Sequence, residues 1–232
     1  MSSARNVILD RIRAANGGAT TLSMSQQAWA GIPRDYIAGS TKSRVEVLRL
    51  FEHRLLDFDA TLTHTTRSEV ESALAGVLRA AQVQRVGVPV EEINLPHPVG
   101  FEFVVDTDLT YEELDRLDAV LTGCTVAVAE TGSLVLQSGT TLGRRALTLV
   151  PDIHVCVVLA VDIVATVPEA IERLAGNAEA PTTFVSGPSA TADIEMTRVK
   201  GVHGPRFLHV LVVHEEQSAE SSRSSGIGEG NE

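Results

Sequence analysis

The chain reads as an α/β protein built on a largely parallel sheet with both faces covered. Amphipathic helical segments alternate with short strand-like runs along most of its length, the order that produces parallel crossovers. The runs at 125–128, 134–136 and 153–160 are almost wholly apolar and rich in β-branched residues. Strands exposed on one face alternate instead, so these runs predict strands buried on both sides. The close spacing of two such runs on either side of Glu130 adds an antiparallel, hairpin-like element to the sheet.

Residues 3–15 predict a helix, with Ile8, Ile12 and Ala15 on one face and Gly17-Gly18 ending it. Residues 17–42 carry many Gly, Ser and Thr and the only Trp, Trp29, and predict an irregular arm. Ser43 with Glu46 is a capping-box pair ahead of Val47, Leu48, Phe51, Leu55 and Phe58, which predicts an amphipathic helix over 44–58. Residues 60–64 form a strand, and Thr66 with Glu69 opens a helix running to about Ala81. Arg85 to Val88 is a strand closed by Pro89, and Pro96-His97-Pro98 marks a loop. Thr110 with Glu113 opens a further helix, with Leu114, Leu117 and Val120 or Leu121 on one face. Strands follow at 124–129, 133–137, 146–150 and 153–160, then a short helix from Pro168 to Leu174, and strands at 182–186 and 207–213. The organisation expected is a helical region and arm over 1–58, one domain over 59–214, and a disordered acidic tail over 215–232.

Composition narrows the function. The net charge is −11, and removing the acidic tail leaves the body negative; no basic run exceeds Arg144-Arg145. Phosphate backbones need clustered Lys and Arg, so no nucleic-acid surface is expected. The two cysteines, Cys124 and Cys156, stand apart in apolar settings with no CxxC pattern. They suit a reducing cytoplasm and the role of small core residues, and they cannot supply a zinc or iron–sulfur site alone. The opening residues carry Arg5, Asp10, Arg11 and Arg13 in place of an apolar signal region, and no apolar run reaches membrane-spanning length. The expected chain is cytoplasmic, without membrane insertion. Glycine-rich nucleotide signatures are absent.

Three segments carry chemistry. Glu130-Thr131-Gly132-Ser133 interrupts apolar flanks with a carboxylate, two hydroxyls and a glycine. Such a knot suits a base or nucleophile beside hydroxyl and amide donors for a small anion, and it equally suits a β-turn whose Glu faces water. Ser186-Gly187-Pro188-Ser189, continuing to Asp193, follows a strand as a small polar loop. Ligands bind beyond the carboxyl ends of strands in open α/β sheets, and Asp193 also suits an ordinary helix cap. Gly201-Val202-His203-Gly204-Pro205-Arg206 offers an acid/base histidine with an anion-binding arginine, or a tight turn before the last strand. Arg145 precedes a strand and is in reach of the same pocket. His154 interrupts an apolar strand, where a satisfied core histidine is the common explanation. His53, His64, His209 and His214 receive no role, and no histidine pair has helical metal-ligand spacing.

In this order the segments Glu130–Ser133, Arg145 leading to Leu149-Val150-Pro151-Asp152-Ile153-His154-Val155, Ser186 to Glu195, and Gly201 to Arg206 resemble the LUD domain family, nearest its lactate utilization protein C group (LutC/YkgG). The resemblance is clearest over residues 124–213. It implies a three-layer α/β/α sandwich with a Rossmann-like mixed sheet, like the NagB/RpiA/CoA transferase group. It further implies the non-iron–sulfur subunit of a system oxidising L-lactate to pyruvate. This chain would bind no cofactor itself, and iron–sulfur clusters would sit on partner subunits. In that setting Glu130 and His203 are the candidate catalytic groups. Thr131, Gly132, Ser133, Arg145, Ser186, Gly187, Ser189, Asp193, Gly204 and Arg206 would surround a small carboxylate ligand. Two other readings stand beside it: a non-catalytic docking or regulatory module for iron–sulfur partners, and a stand-alone acyl or phosphosugar enzyme of the same fold.

Overall fold

The computed structural model describes residues 4–17, 21–37, 39–91, 97–139, 141–191, 199–201 and 203–216. The chain forms two compact units, Met1–Ile37 and Ala38–Glu232. The expected tail falls almost wholly outside the described residues.

The first unit holds α1 (Ala4–Ala15), as the periodicity predicts, and α2 (Leu22–Ala30). The second helix replaces part of the expected irregular arm. Its start is local: the Thr21 hydroxyl accepts the Met24 N–H at 3.2 Å, and this cap carries a helix through a Ser-rich stretch. Arg34 lies over the Trp29 ring, 5.0 Å from its centroid.

The second unit begins before α3 (Arg44–Asp57), which belongs with the sheet and not with the arm. Ser43 and Glu46 form the full capping box, and Val47, Phe51 and Leu55 recur every four residues on the buried face. β1 (Thr61–Thr66) leads to α4 (Val70–Ala80), which buries Val70, Leu74 and Leu78. The expected capping box at Thr66 is not formed, because Thr66 remains in the strand and Glu69 caps without a side-chain bond. Next come β2 (Arg85–Val88), β3 (Glu102–Val105), the short α5 (Tyr111–Asp115) and β4 (Ala119–Thr122). The sequence reading has no β3. It also runs the Thr110 helix into Val120 and Leu121, which are strand residues here. Asp118 explains the change, because its carboxylate accepts the N–H groups of Gln84 and Arg85, both at 2.8 Å, and starts β4 beside β2.

β7 (Ile153–Leu159) and β12 (Phe207–His214) complete a six-stranded sheet in the order β1-β12-β7-β4-β2-β3, all parallel. Alternate residues of its central strands divide the core. Val155, Val157, Leu211 and Val213 face α4, whereas Cys156, Val158, Leu208, Val210 and Val212 face α3. Both faces are covered, which is why β7 and β12 read as nearly continuous apolar runs.

The antiparallel element forms a sheet of its own on the α3 side. β5 (Val126–Val128) and β6 (Ser133–Gln137) make the hairpin. β8 (Ile163–Val164) joins β5, and β9 (Thr182–Val185) joins β6, in the order β8-β5-β6-β9. α6 (Val167–Leu174) packs on β5, and the small hairpin of β10 (Ala190–Thr191) and β11 (Val199–Lys200) lies beyond β9. The expected strand at 146–150 is a series of turns, closed by Leu147 N–H to Arg144 O and Val150 N–H to Ala146 O. No helix among the described residues is long and apolar enough to cross a membrane.

Candidate functional site

The hairpin and the loop after β9 meet as the sequence proposes. β6 pairs with β9 so that Leu134 stands opposite Val185, which brings the next residues, Ser133 and Ser186, side by side. Ser133 donates to Thr131 Oγ1 at 2.8 Å, so the Ser186 hydroxyl is the donor across its 2.6 Å contact with Ser133 Oγ. The glycines of both loops serve packing. Gly132 has φ +61, and a Cβ there would stand 2.7 Å from Arg54 Cβ; Gly187 has φ +87, and a Cβ would stand 2.6 Å from Phe58 Cβ. Each loop therefore turns tightly over the last turn of α3, a use of glycine that requires no ligand.

Beside the Ser186 loop lies a cavity of about 240 Å³. It gathers six of the expected site residues, Arg145, Ser186, Gly187, Ser189, His203 and Gly204, with Thr148, His154 and Leu208 behind them. Ser189 organises one wall: its Oγ accepts the His203 N–H at 3.1 Å, its N–H donates to Pro205 O at 2.8 Å, and its carbonyl accepts the Gly201 N–H at 2.9 Å. The volume lies below the range of drug-sized sites and suits a ligand of a few heavy atoms.

Arg145 supplies the positive charge. Its guanidinium donates to Thr148 O at 3.2 Å and Thr148 Oγ1 at 3.0 Å, and no carboxylate among the described residues pairs with it. Desolvation lowers its pKa, the expected cost of holding a cation against the body of the protein without a counter-charge. An anion entering the cavity would supply that charge.

His154 forms the floor. It is 1% exposed, and burial, with Arg145 adding repulsion, pushes its pKa down to about 4. The ring is neutral at ordinary pH. Its Nε2 lies 2.8 Å from Thr122 Oγ1, which is also 2.9 Å from Gly123 O. The sequence reading as a satisfied core histidine describes one edge of the ring; it misses that the residue also walls the cavity. The available signal was a polar residue at an inward position of an otherwise apolar strand. Thr122 and Thr148 carried no such signal.

Other expected site residues are elsewhere. Glu130 is exposed and outside the cavity wall; its carboxylate accepts the Val167 N–H at 3.3 Å and its N–H donates to Ala165 O at 3.1 Å, which ties the hairpin to the start of α6. The cavity is therefore not centred on Glu130. Thr131, Gly132 and Ser133 stand behind Ser186 and off the wall. Arg206 is committed to Asp152 through two hydrogen bonds. Asp193 lies outside the described residues. Among the described residues, no group of three or more His, Cys, Asp or Glu is arranged to hold a metal ion.

The cavity sits at the amino ends of β7 and β12, where His154 and Leu208 are second residues of their strands. This differs from the rule that places ligands at carboxyl ends. The carboxyl ends of β1 and β12 open on a wider groove of about 890 Å³, where His64 Nδ1 and His214 Nε2 are 2.8 Å apart beside Arg44, Thr66 and Glu69.

Comparison with known proteins places these features in a family. Residues 1–213 match the model of the LUD domain. Lactate utilization protein C of Deinococcus radiodurans is 48% identical over 177 residues, covering 74% of this chain and 81% of that protein. Lactate utilization protein C of Anoxybacillus flavithermus is 26% identical over 220 residues, covering 88% and 97%. A crystal structure of a DUF162 family protein from Deinococcus radiodurans, 43% identical in sequence, has a TM-score of 0.63, covering 74% of this chain and 99% of that chain.

Proposed function

The chain belongs to the LUD domain family, and from that premise we propose that it serves lactate utilization as the non-iron–sulfur component of a lactate-oxidising system. Its part is to hold a small carboxylate in the cavity beside the Ser186 loop. The observation that carries this reading is Arg145, a guanidinium set at a small cavity with no carboxylate partner among the described residues. The carboxylate would lie against Arg145, with the Ser186 and Ser189 hydroxyls as further donors. His203, on the exposed side of the same wall, is placed to meet a ligand at the entrance. Oxidation of a hydroxy acid releases two electrons, and in this reading these would pass to iron–sulfur partners.

The test is lactate-dependent dye reduction by the chain co-purified with its partners from native cells, with Arg145→Gln beside the wild type. The expected result is activity in the wild-type assembly, none in the isolated chain, and at least a tenfold loss in the variant. Full activity of the variant would remove the cavity from the mechanism.

The groove at the carboxyl ends favours a second reading, in which the ligand sits near His64 and His214. A His214→Ala change separates the two. It leaves activity intact if the ligand is at Arg145 and abolishes it if the ligand is in the groove.

A further inference from the structure

The two cysteines of the chain, far apart in sequence, meet in the core. Strand register brings them together. Thr122, the last residue of β4, stands opposite Cys156 of β7, and Cys124 follows two residues on. The Cys156 thiol donates to Gly123 O at 3.3 Å and is in hydrogen-bonding contact with the Cys124 thiol. Both are free thiols, and they differ in access: Cys156 is fully buried, whereas Cys124 is partly exposed. Burial, and then the neighbouring Cys124, push the Cys156 thiol up, so it stays protonated at rest. Neither thiol is on the wall of the Arg145 cavity, but the pair lies directly behind its floor. Thr122 touches Cys156 on one side and His154, at 2.8 Å, on the other.

We propose that Cys124 and Cys156 are a redox-sensitive pair that a hydroperoxide closes to an intramolecular disulfide. A thiol within reach of solvent, backed by a second thiol that can resolve it, is the arrangement such a site requires. With hydrogen peroxide, the Cys124 sulfur attacks as the thiolate; an S–O bond forms, the O–O bond breaks and hydroxide leaves. The Cys156 sulfur then attacks the Cys124 sulfur; the S–S bond forms, the S–O bond breaks, and the hydroxyl leaves as water with the Cys156 proton. The two thiols are oxidised by two electrons in all, and the peroxide is reduced. A buried, protonated Cys156 is a slow nucleophile toward a free reagent, but here its target is already in contact. Closure withdraws Cys156 Sγ from Gly123 O and is one contact away from His154, so the oxidation state is registered behind the cavity floor. A dithiol reductant reopens the bond by exchange. None of this depends on which ligand the cavity takes.

The experiment treats the purified, folded full chain with a small molar excess of hydrogen peroxide and counts thiols after denaturation. The expected count falls from two to none, the mass falls by two hydrogens, and dithiothreitol restores both. Non-reducing tryptic maps show residues 117–144 linked to residues 146–173 within one chain. In Cys156→Ser, oxidation stops at a Cys124 sulfenic acid that dimedone traps, and in Cys124→Ser the buried Cys156 keeps its thiol. The wild-type measurements do not depend on the folding of either variant. Two thiols remaining, disulfides only between chains, over-oxidation of Cys124 beside a free Cys156, or a link that forms only in urea would each overturn the inference.

Discussion

The hydroxyls of Ser133 and Ser186 lie 2.6 Å apart and join the β5–β6 hairpin to the loop that walls the cavity. The contact continues the β6–β9 ladder by one side-chain step, from Leu134 opposite Val185 to serine opposite serine. Ser133 is 4% exposed, so its hydroxyl depends on Thr131 and Ser186 for partners. Removing either serine hydroxyl should cost about 1 kcal/mol, the usual net worth of one such bond. The double variant Ser133→Ala with Ser186→Ala should cost less than the two singles together, with a coupling of about 0.5–1 kcal/mol. Urea midpoints of the four proteins check this, and strict additivity would mean that the contact carries no energy. Only Ser186→Ala should also weaken carboxylate binding, because Ser186 alone of the pair is on the cavity wall.

Glu130→Gln tests the division between the hairpin and the cavity. The carboxylate accepts the Val167 N–H at the start of α6, and a glutamine carbonyl can accept the same bond. Lactate-dependent dye reduction by the co-purified assembly should stay within about threefold of wild type. A loss of a hundredfold or more at unchanged stability would place Glu130 in the chemistry and require a ligand outside the cavity.

These two cases mark how far the sequence could be read. The polar knot at Glu130 and the Ser186 loop are legible because carboxylates and hydroxyls rarely interrupt apolar strands without a structural partner. Their proximity follows from the β6–β9 pairing, which a single sequence does not specify. His154 was legible as a core histidine but not as a cavity wall, since both uses place the same residue in the same strand. The capping boxes at Ser43 and Thr110 are formed, as local hydrogen bonding predicts. The helix expected beyond Thr110 fails where a long-range contact wins, with Asp118 drawing residues 119–122 into the sheet beside β2. The run at 146–150 has strand composition but no ladder partner, and its N–H groups close turns instead.

Gly187→Ala measures how tightly the Ser186 loop is seated on α3. The residue has φ +87, and a methyl group would lie 2.6 Å from Phe58 Cβ and 2.9 Å from Phe58 O. Left-handed strain and the clash act together, so stability should fall by about 2 kcal/mol or more. Gly139→Ala is the matched control, because a Cβ there meets nothing within 4 Å. Thermal unfolding of both variants checks the contrast. Equal melting temperatures would show that the loop moves off Phe58 at no cost.

The buried histidine sets an acid limit on the fold. His154 has a pKa of about 4 in the folded protein, against an ordinary value of about 6.5 for an exposed imidazole. The sign follows from proton uptake. Above the unfolded value neither state binds the proton, and the stability associated with neutral His154 is fully present. As pH falls from about 6.5 towards 4, the unfolded chain takes up a proton that the folded chain refuses, and stability declines by at most about 1.4 kcal/mol per pH unit, about 3 kcal/mol in all. Burial also lowers the pKa of His209, which adds a smaller loss of the same sign. His154→Gln should be less stable than wild type at pH 8, because Thr122 and the surrounding core are disturbed, yet its stability should fall more slowly between pH 6.5 and 4.5. Carboxylates that titrate near pH 4 affect both proteins alike, so the difference between the two urea-midpoint curves isolates His154. Parallel curves would mean that the folded protein protonates His154 as readily as the unfolded chain does.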